Sequence, residues 1–208
     1  LSGERPQTVG FNGQADVETG ETVTIGISAT GKTIWWKWNP PRDGDFLIST
    51  IGSSFNTVLG VYTNFNEVPP YATAMRDDDS GSPFDLTSLV SINAKTNITY
   101  YIVVDGYQDS EINWAGKVIL SIFPDNNRYT NRIRLTNTTN ASDISANGRA
   151  NAEPGEVTYY LIPVVPEPQL PNGKSVWWEW MAPTNGELTV DTIGSDFDTL
   201  LAVYQGEK

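Results

Sequence analysis

The sequence contains no cysteine and no histidine. These absences exclude disulfide bonds, thiol catalysis and the Ser-His-Asp triad. They also exclude nearly every zinc or haem site, because each of these needs a thiolate or an imidazole. They do not identify a redox compartment, since many exported bacterial proteins also lack cysteine. The chemistry that remains belongs to carboxylates, amides, hydroxyls and aromatic rings.

Basic residues and long apolar runs are also scarce. There are 13 basic residues against 25 acidic ones, which gives a net charge of -12, so we expect no nucleic-acid partner. No stretch approaches 18 consecutive apolar residues, so we expect no transmembrane segment. The first residues also lack the basic and apolar regions of an export signal. A hydrophobic content of 38% is nevertheless enough for one or two packed cores.

One segment of the chain occurs twice. Residues 34–62 align without a gap with residues 176–204, at an offset of 142, and 14 of the 29 positions are identical. This period is domain-sized and exceeds the 20 to 50 residues of a solenoid repeat. We therefore predict two copies of one domain, residues 1–123 and residues 124–208.

Strand signals dominate the first copy, and no segment before Pro124 has a convincing helical period. Short runs rich in β-branched and aromatic residues are bounded by Gly, Pro, Asn or Asp. Their spacing predicts an all-β fold of tandem, jelly-roll-like antiparallel β-sandwich domains. The predicted strands are residues 22–27, 34–38, 46–50, 57–62, 88–92, 99–105 and 117–123.

The tryptophan-rich strand has two faces. A period of two places Ile34, Trp36 and Trp38 on one face, which we predict to be core, and leaves Trp35 on the other. Trp177 is the second copy's counterpart of Trp35, and for both a packing role is favoured over a ligand platform. A candidate carbohydrate or peptide surface would use the remaining aromatics. Its residues would be Trp35, Trp177, Tyr71, Tyr107 and Trp114.

The motifs WWEWMAPTNGELTVDTIGSDFDTLLAVY, NAEPGE, MRDDDSGSPFDLTSLVSI and YYIVVDGY resemble the bacterial pre-peptidase C-terminal (PPC) domain, in its long WW-containing form. The resemblance covers nearly the whole chain. It implies a sandwich of about eight strands, secreted or on the bacterial cell surface, commonly an accessory to an enzyme or adhesin. It also implies calcium binding in some relatives, and collagen binding by a similar domain in collagenases. Fold alone carries no function.

The second copy has no equivalent of residues 63–123. We expect its sandwich to be incomplete, which would expose apolar faces and unpaired strand edges. Two explanations remain open. Either the chain belongs to a longer array, or a neighbouring chain supplies strands by complementation.

The acidic loop, residues 76–82, is the leading candidate metal site. Asp77, Asp78 and Asp79 repel one another in a Gly/Ser loop, and a hard cation such as Ca²⁺ would neutralise them. Asp16 and Glu18 are candidate further ligands. The spacing is not that of an EF-hand, and a merely solvated loop is the alternative.

These observations favour a non-catalytic structural or adhesive repeat module that self-assembles into a fibre or array, with calcium as a candidate cofactor. Its partners would be copies of itself, neighbouring repeats, a polysaccharide or a matrix protein. The alternative is a carbohydrate- or protein-binding accessory domain of a larger exported enzyme. A catalytic carboxylate pair involving Asp105 or the acidic loop is disfavoured, because no such pair recurs in the second copy.

Overall fold

A computed structural model describes residues 1–17, 30–63, 75–81, 86–108, 114–136, 138–154 and 173–206. Among them the regular structure is almost entirely strand, with one 3₁₀ turn at Tyr129–Asn131, which confirms the all-β prediction. No helix in this part of the chain is long and apolar enough to cross a membrane. The strands are β1 Gln7–Phe11, β2 Ile34–Trp38, β3 Gly44–Ser49, β4 Thr57–Tyr62, β5 Met75–Asp77, β6 Leu89–Ala94, β7 Tyr100–Gly106, β8 Lys117–Pro124, β9 Ile133–Arg134 and β10 Trp178–Glu179.

The first eight strands form two four-stranded sheets, and every pairing within them is antiparallel. Sheet one has the order β1-β8-β3-β6, and sheet two has the order β2-β7-β4-β5. Strands adjacent in sequence therefore lie in opposite sheets at several points, which is the arrangement of a sandwich. β9 and β10 form a separate, two-stranded parallel pair.

The main core lies between the two sheets. Trp38 and Leu59 from sheet two and Phe46 from sheet one are fully buried in it, and the Trp38 and Phe46 rings meet edge to face with centroids 5.1 Å apart. Ile34 and Trp36 are partly buried against the same core. The predicted inward face of the tryptophan-rich strand is thus confirmed.

Two strands differ from the sequence prediction. β1 and β5 were not predicted, and the predicted strand at residues 22–27 lies outside the described residues. β1 escapes the pattern because its apolar residues, Val9 and Phe11, are exposed, whereas its less exposed positions are Thr8 and Gly10. A Cβ at Gly10 would lie 2.8 Å from Ile34 Cδ1 and 3.0 Å from Trp36 Cζ2, so a larger residue here would require the Ile34 side chain on β2 to shift.

The described part of the second copy contains only β9, β10 and the 3₁₀ turn. Residues 186–204, which match β3 and β4 in sequence, have no strand assignment and are exposed almost throughout. The division into two sandwich domains stays a prediction.

Candidate functional site

The acidic loop lies where the two copies meet. β5 ends at Asp77, and the Asp77 carboxylate then receives hydrogen bonds from both sides of the loop. Its Oδ2 accepts from the backbone N–H of Ser80 at 3.0 Å and of Leu89 at 2.7 Å, and its Oδ1 accepts from Ser80 Oγ at 2.6 Å. The side chain of Asp77 is 7% exposed.

Arg149 of the second copy completes this set. Its Nη2 forms an ion pair with Asp77 Oδ1, and its Nε donates to the backbone oxygen of Leu89. Asp77 therefore has four donors, which fill the four lone-pair positions of a carboxylate. Asp77 thereby acts as an anchor between the copies.

Asp78 and Asp79 are placed differently. Burial raises the pKa of Asp78 to about 6, and the charges of Asp79 and Asp77 add to this effect. Burial also raises the pKa of Asp79, with a further contribution from the Asp77 charge. Asp78 Oδ1 is buried without a hydrogen-bond partner among the described residues. The loop thus holds negative charge that its surroundings only partly neutralise.

A calcium site would need six to eight oxygens, and within the described ranges no group of three or more Asp or Glu is placed to hold a metal. Asp16 is exposed and belongs to no such group, and Glu18 lies outside the described residues. Among the candidate ligands that the structure describes, Asp78 is the one with a buried carboxylate oxygen that lacks a hydrogen-bond partner. The calcium prediction stays a prediction.

Further contacts join the copies beside the acidic loop. Arg5 forms an ion pair with Asp143 at 2.7 Å, and Asp143 also accepts from Trp178 Nε1 at 2.8 Å. Asn131 Nδ2 of the second copy donates to Asp45 Oδ2 of the first at 3.1 Å. The junction therefore combines ion pairs with an amide hydrogen bond, and it fixes the first residues of the second copy against the first sandwich.

The predicted aromatic surface is only partly assembled. Trp35 and Tyr107 pack on one small cluster on the outer side of sheet two, where the Trp35 and Tyr62 rings are 6.0 Å apart. Trp177 lies in the second copy against Tyr129 and Tyr204. Trp114 is 38% exposed, and Tyr71 lies outside the described residues.

Asp105, the disfavoured catalytic candidate, is fully buried. Its oxygens accept hydrogen bonds of 2.6 to 3.1 Å from four donors, which leaves it no open side toward a substrate. The donors are Thr30 Oγ1 and the backbone N–H groups of Gly31, Lys32 and Gly106. Asp105 thus fixes the start of the β2 segment to the end of β7.

Arg149 was not among the predicted site residues. Its aligned position in the first copy is Gln14, so the repeat does not mark it, and only the packing of one copy on the other brings it to Asp77. A comparison with protein-family models found no match, and a comparison with curated proteins found none either.

Proposed function

We propose that the chain is a non-catalytic structural module of a bacterial secreted or cell-surface protein, in which PPC-like repeats are joined end to end by a stiff junction. The observation that carries this proposal is the Arg149–Asp77 ion pair, in which a residue of the second copy completes a buried anchor of the first. A flexible linker between independent domains would show few bonds of this kind. Adhesive or load-bearing arrays need repeats held in a fixed orientation.

The test is to measure whether the two copies tumble together. Residual dipolar couplings from residues 30–124 and 126–180 should fit one alignment tensor. Arg149→Gln should reduce this agreement and lower the free energy of unfolding by about 1 kcal/mol, because the partly buried ion pair and the bond to Leu89 are lost. The matched control is Arg128→Gln, which removes the same charge from an exposed position of the same junction. Two independent tensors in the unaltered chain would contradict the proposal.

Calcium enters this proposal only through Asp78 and Asp79. If the ion binds there, added Ca²⁺ should raise the unfolding temperature of the unaltered chain, and Asp78→Asn should abolish the increase. If millimolar Ca²⁺ does not change the unfolding temperature, calcium has no part in the proposed function. The stiff junction would be unaffected, because it depends on Arg149.

A ligand-binding accessory domain is the second candidate, and the aromatic cluster on sheet two favours it. Trp35, Tyr101 and Tyr107 are partly buried around Val58 and Val103 on the outer side of the sheet, where a sugar ring or a peptide side chain can stack. Binding to a panel of polysaccharides and to collagen should then fall on Tyr107→Ala. The control is Phe11→Ala, which removes a 71% exposed ring from β1 in sheet one. Absence of binding across the panel rejects this candidate.

A further inference from the structure

A polar cavity of about 300 Å³ lies at the junction of the two copies. The first copy contributes residues at and before the start of β3, and the second copy contributes residues of its 3₁₀ turn and of the segments that flank the turn. Arg42 and Thr130 are exposed, so the cavity can be reached from solvent. We call it the junction cavity, and its polar side chains are Arg42, Asp45, Asp125, Thr130, Asn131 and Arg132.

Arg42 of the first copy is fixed beside this cavity. Its Nε donates to Glu4 Oε1 at 2.6 Å, and its Nη1 donates to the backbone oxygen of Asp43 at 3.1 Å. Its Cζ lies 5.0 Å from the centroid of the Phe46 ring, which supports one face of the guanidinium. Gly44, with a φ of 145°, leaves the guanidinium its space, since a Cβ there would come within 2.5 Å of Arg42 Nη1. Nη2 has no hydrogen-bond partner among the described residues.

Arg132 of the second copy is held in the same way. Its Nε donates to Glu179 Oε2 at 2.7 Å, and its Nη1 donates to the backbone oxygen of Tyr129 at 3.1 Å. Its Cζ lies 4.5 Å from the centroid of the Tyr129 ring. Its Nη2 is likewise without a partner in the part of the chain that the structure describes. The two copies thus each bring one fixed guanidinium with an unused donor to the same cavity, and fixed groups lose little entropy when a ligand binds.

Two carboxylates line the junction cavity as well, and each of their oxygens has one partner. Asp45 accepts from two asparagine side chains, at 2.7 and 3.1 Å. Asp125 accepts from the backbone N–H of Asn127 at 2.9 Å and from Ser91 Oγ at 3.3 Å. A carboxylate offers about four acceptor positions, so both can accept further hydrogen bonds.

This lining disfavours charged and apolar ligands. A cation would meet the two guanidinium groups, and an oxyanion would meet the two carboxylates. The net charge of -12 also repels an anionic polymer. An apolar ligand would leave the unused donors and acceptors without hydrogen bonds. The complementary ligand is therefore uncharged and carries donors and acceptors close together.

A sugar meets this requirement better than a peptide does. A sugar hydroxyl donates and accepts through the same oxygen, so two neighbouring hydroxyls can bridge a guanidinium and a carboxylate. A peptide backbone presents its N–H and C=O groups in the spacing of a strand ladder, which suits a sheet edge and not a set of forked side chains.

We infer that the junction cavity binds one unit of an uncharged saccharide, whose hydroxyls accept from the two unused Nη2 groups and donate to the two carboxylates. This inference rests on the proposed stiff junction, because the site needs both copies in place. It assigns a saccharide site that is separate from the aromatic cluster on sheet two.

The test follows the arginine Nε–H signals of the full chain by NMR while maltotriose, cellotriose, mannotriose or chitotriose is added. At least one of these neutral trisaccharides should shift the Arg42 and Arg132 signals saturably. Arg132→Lys keeps the charge but loses the forked donor, so the Kd read from the Arg42 signal should rise by about 10-fold or more. The matched control is Arg134→Lys, which alters a second guanidinium bound to Glu179 that does not line the cavity. It should leave the Kd unchanged.

Three results would overturn the inference. The first is the absence of saturable shifts with all four neutral probes. The second is tighter binding of trigalacturonate than of every neutral probe, because the site would then select an oxyanion. The third is binding that falls with Tyr107→Ala but not with Arg132→Lys, because the aromatic cluster would then hold the sugar.

Failure of this inference differs from failure of the proposed function. A single alignment tensor without saccharide binding rejects the saccharide site alone. Two independent tensors reject the stiff junction and, with it, the site that the junction forms.

Discussion

Residues 34–62 and 176–204 are nearly half identical, and each contains a pair of threonine hydroxyls 2.6 Å apart and a tryptophan beside a tyrosine, yet among the described residues only the first segment forms long strands in a core. The comparison separates two contributions to structure. Local hydrogen bonds follow from the sequence of the segment itself. Strand pairing and burial follow from β5 to β8, which the first segment has and the second has not among the described residues.

The largest expected difference between the copies concerns a leucine shared by both. Leu59→Ala should lower the free energy of unfolding by about 2 to 5 kcal/mol, because it opens a cavity in a closed core. Leu201→Ala should change it by no more than about 0.5 kcal/mol, since the side chain is already exposed. Urea denaturation followed by tryptophan fluorescence measures both. Similar losses would mean that the second copy has a core of its own.

Asp105→Asn tests the buried anchor of the first copy. We expect a loss of about 2 to 3 kcal/mol, because an amide group cannot accept from all four donors that surround the carboxylate. Thermal unfolding measures the effect, and Asp16→Asn, at an exposed carboxylate, is the control of equal charge. Equal stability of the two variants would show that Asp105 is not an anchor.

A buried hydroxyl network gives a second matched pair. Thr57 Oγ1 lies 2.6 Å from Thr50 Oγ1 and 2.9 Å from Ser88 Oγ, and all three side chains are buried. Thr57→Val should cost about 1 to 2 kcal/mol, because these partners lose a hydrogen bond without gaining water. Thr199→Val should cost less than about 0.5 kcal/mol in the same denaturation assay. If Thr199→Val lowered the free energy of unfolding more than Thr57→Val does, the buried network of the first copy would not be the more important of the two.

Asp78→Asn should have the smallest effect on the free energy of unfolding, and it should stabilise the chain where the other variants destabilise it. Its pKa is raised to about 6, so the folded state binds its proton more tightly than the unfolded state does. Its contribution to stability therefore increases as the pH falls from 7 through 6, and is complete below about 4. At pH 7, Asp78→Asn should stabilise the chain by about 1 kcal/mol after allowance for solvent screening.

The measurement is the free energy of unfolding of both chains between pH 4 and pH 7.5. The advantage of Asp78→Asn should shrink steadily below pH 6 and be nearly absent at pH 4. Asp79→Asn, at a more exposed carboxylate, should show a weaker dependence. A constant advantage across this range would show that charge at Asp78 is not its cause.

The strands that sequence reasoning found are those with strong β-branched and aromatic patterns, such as β2 and β4, whose predicted and observed bounds coincide. β5 was missed because it has three residues and depends on its pairing with β4. Arg149 was missed because its role comes from packing between the copies. The acidic loop was found from its three successive carboxylates, but the guanidinium that pairs with Asp77 could not be predicted, because it comes from a residue 72 positions away.

Amide hydrogen exchange on the unaltered chain measures strand pairing in both copies at once, and so shows whether pairing depends on β5 to β8. We expect strong protection at residues 46–49 and 57–62 and little protection at their counterparts 188–191 and 199–204. Comparable protection in the two segments would contradict this expectation, because pairing would then follow from the repeated sequence alone.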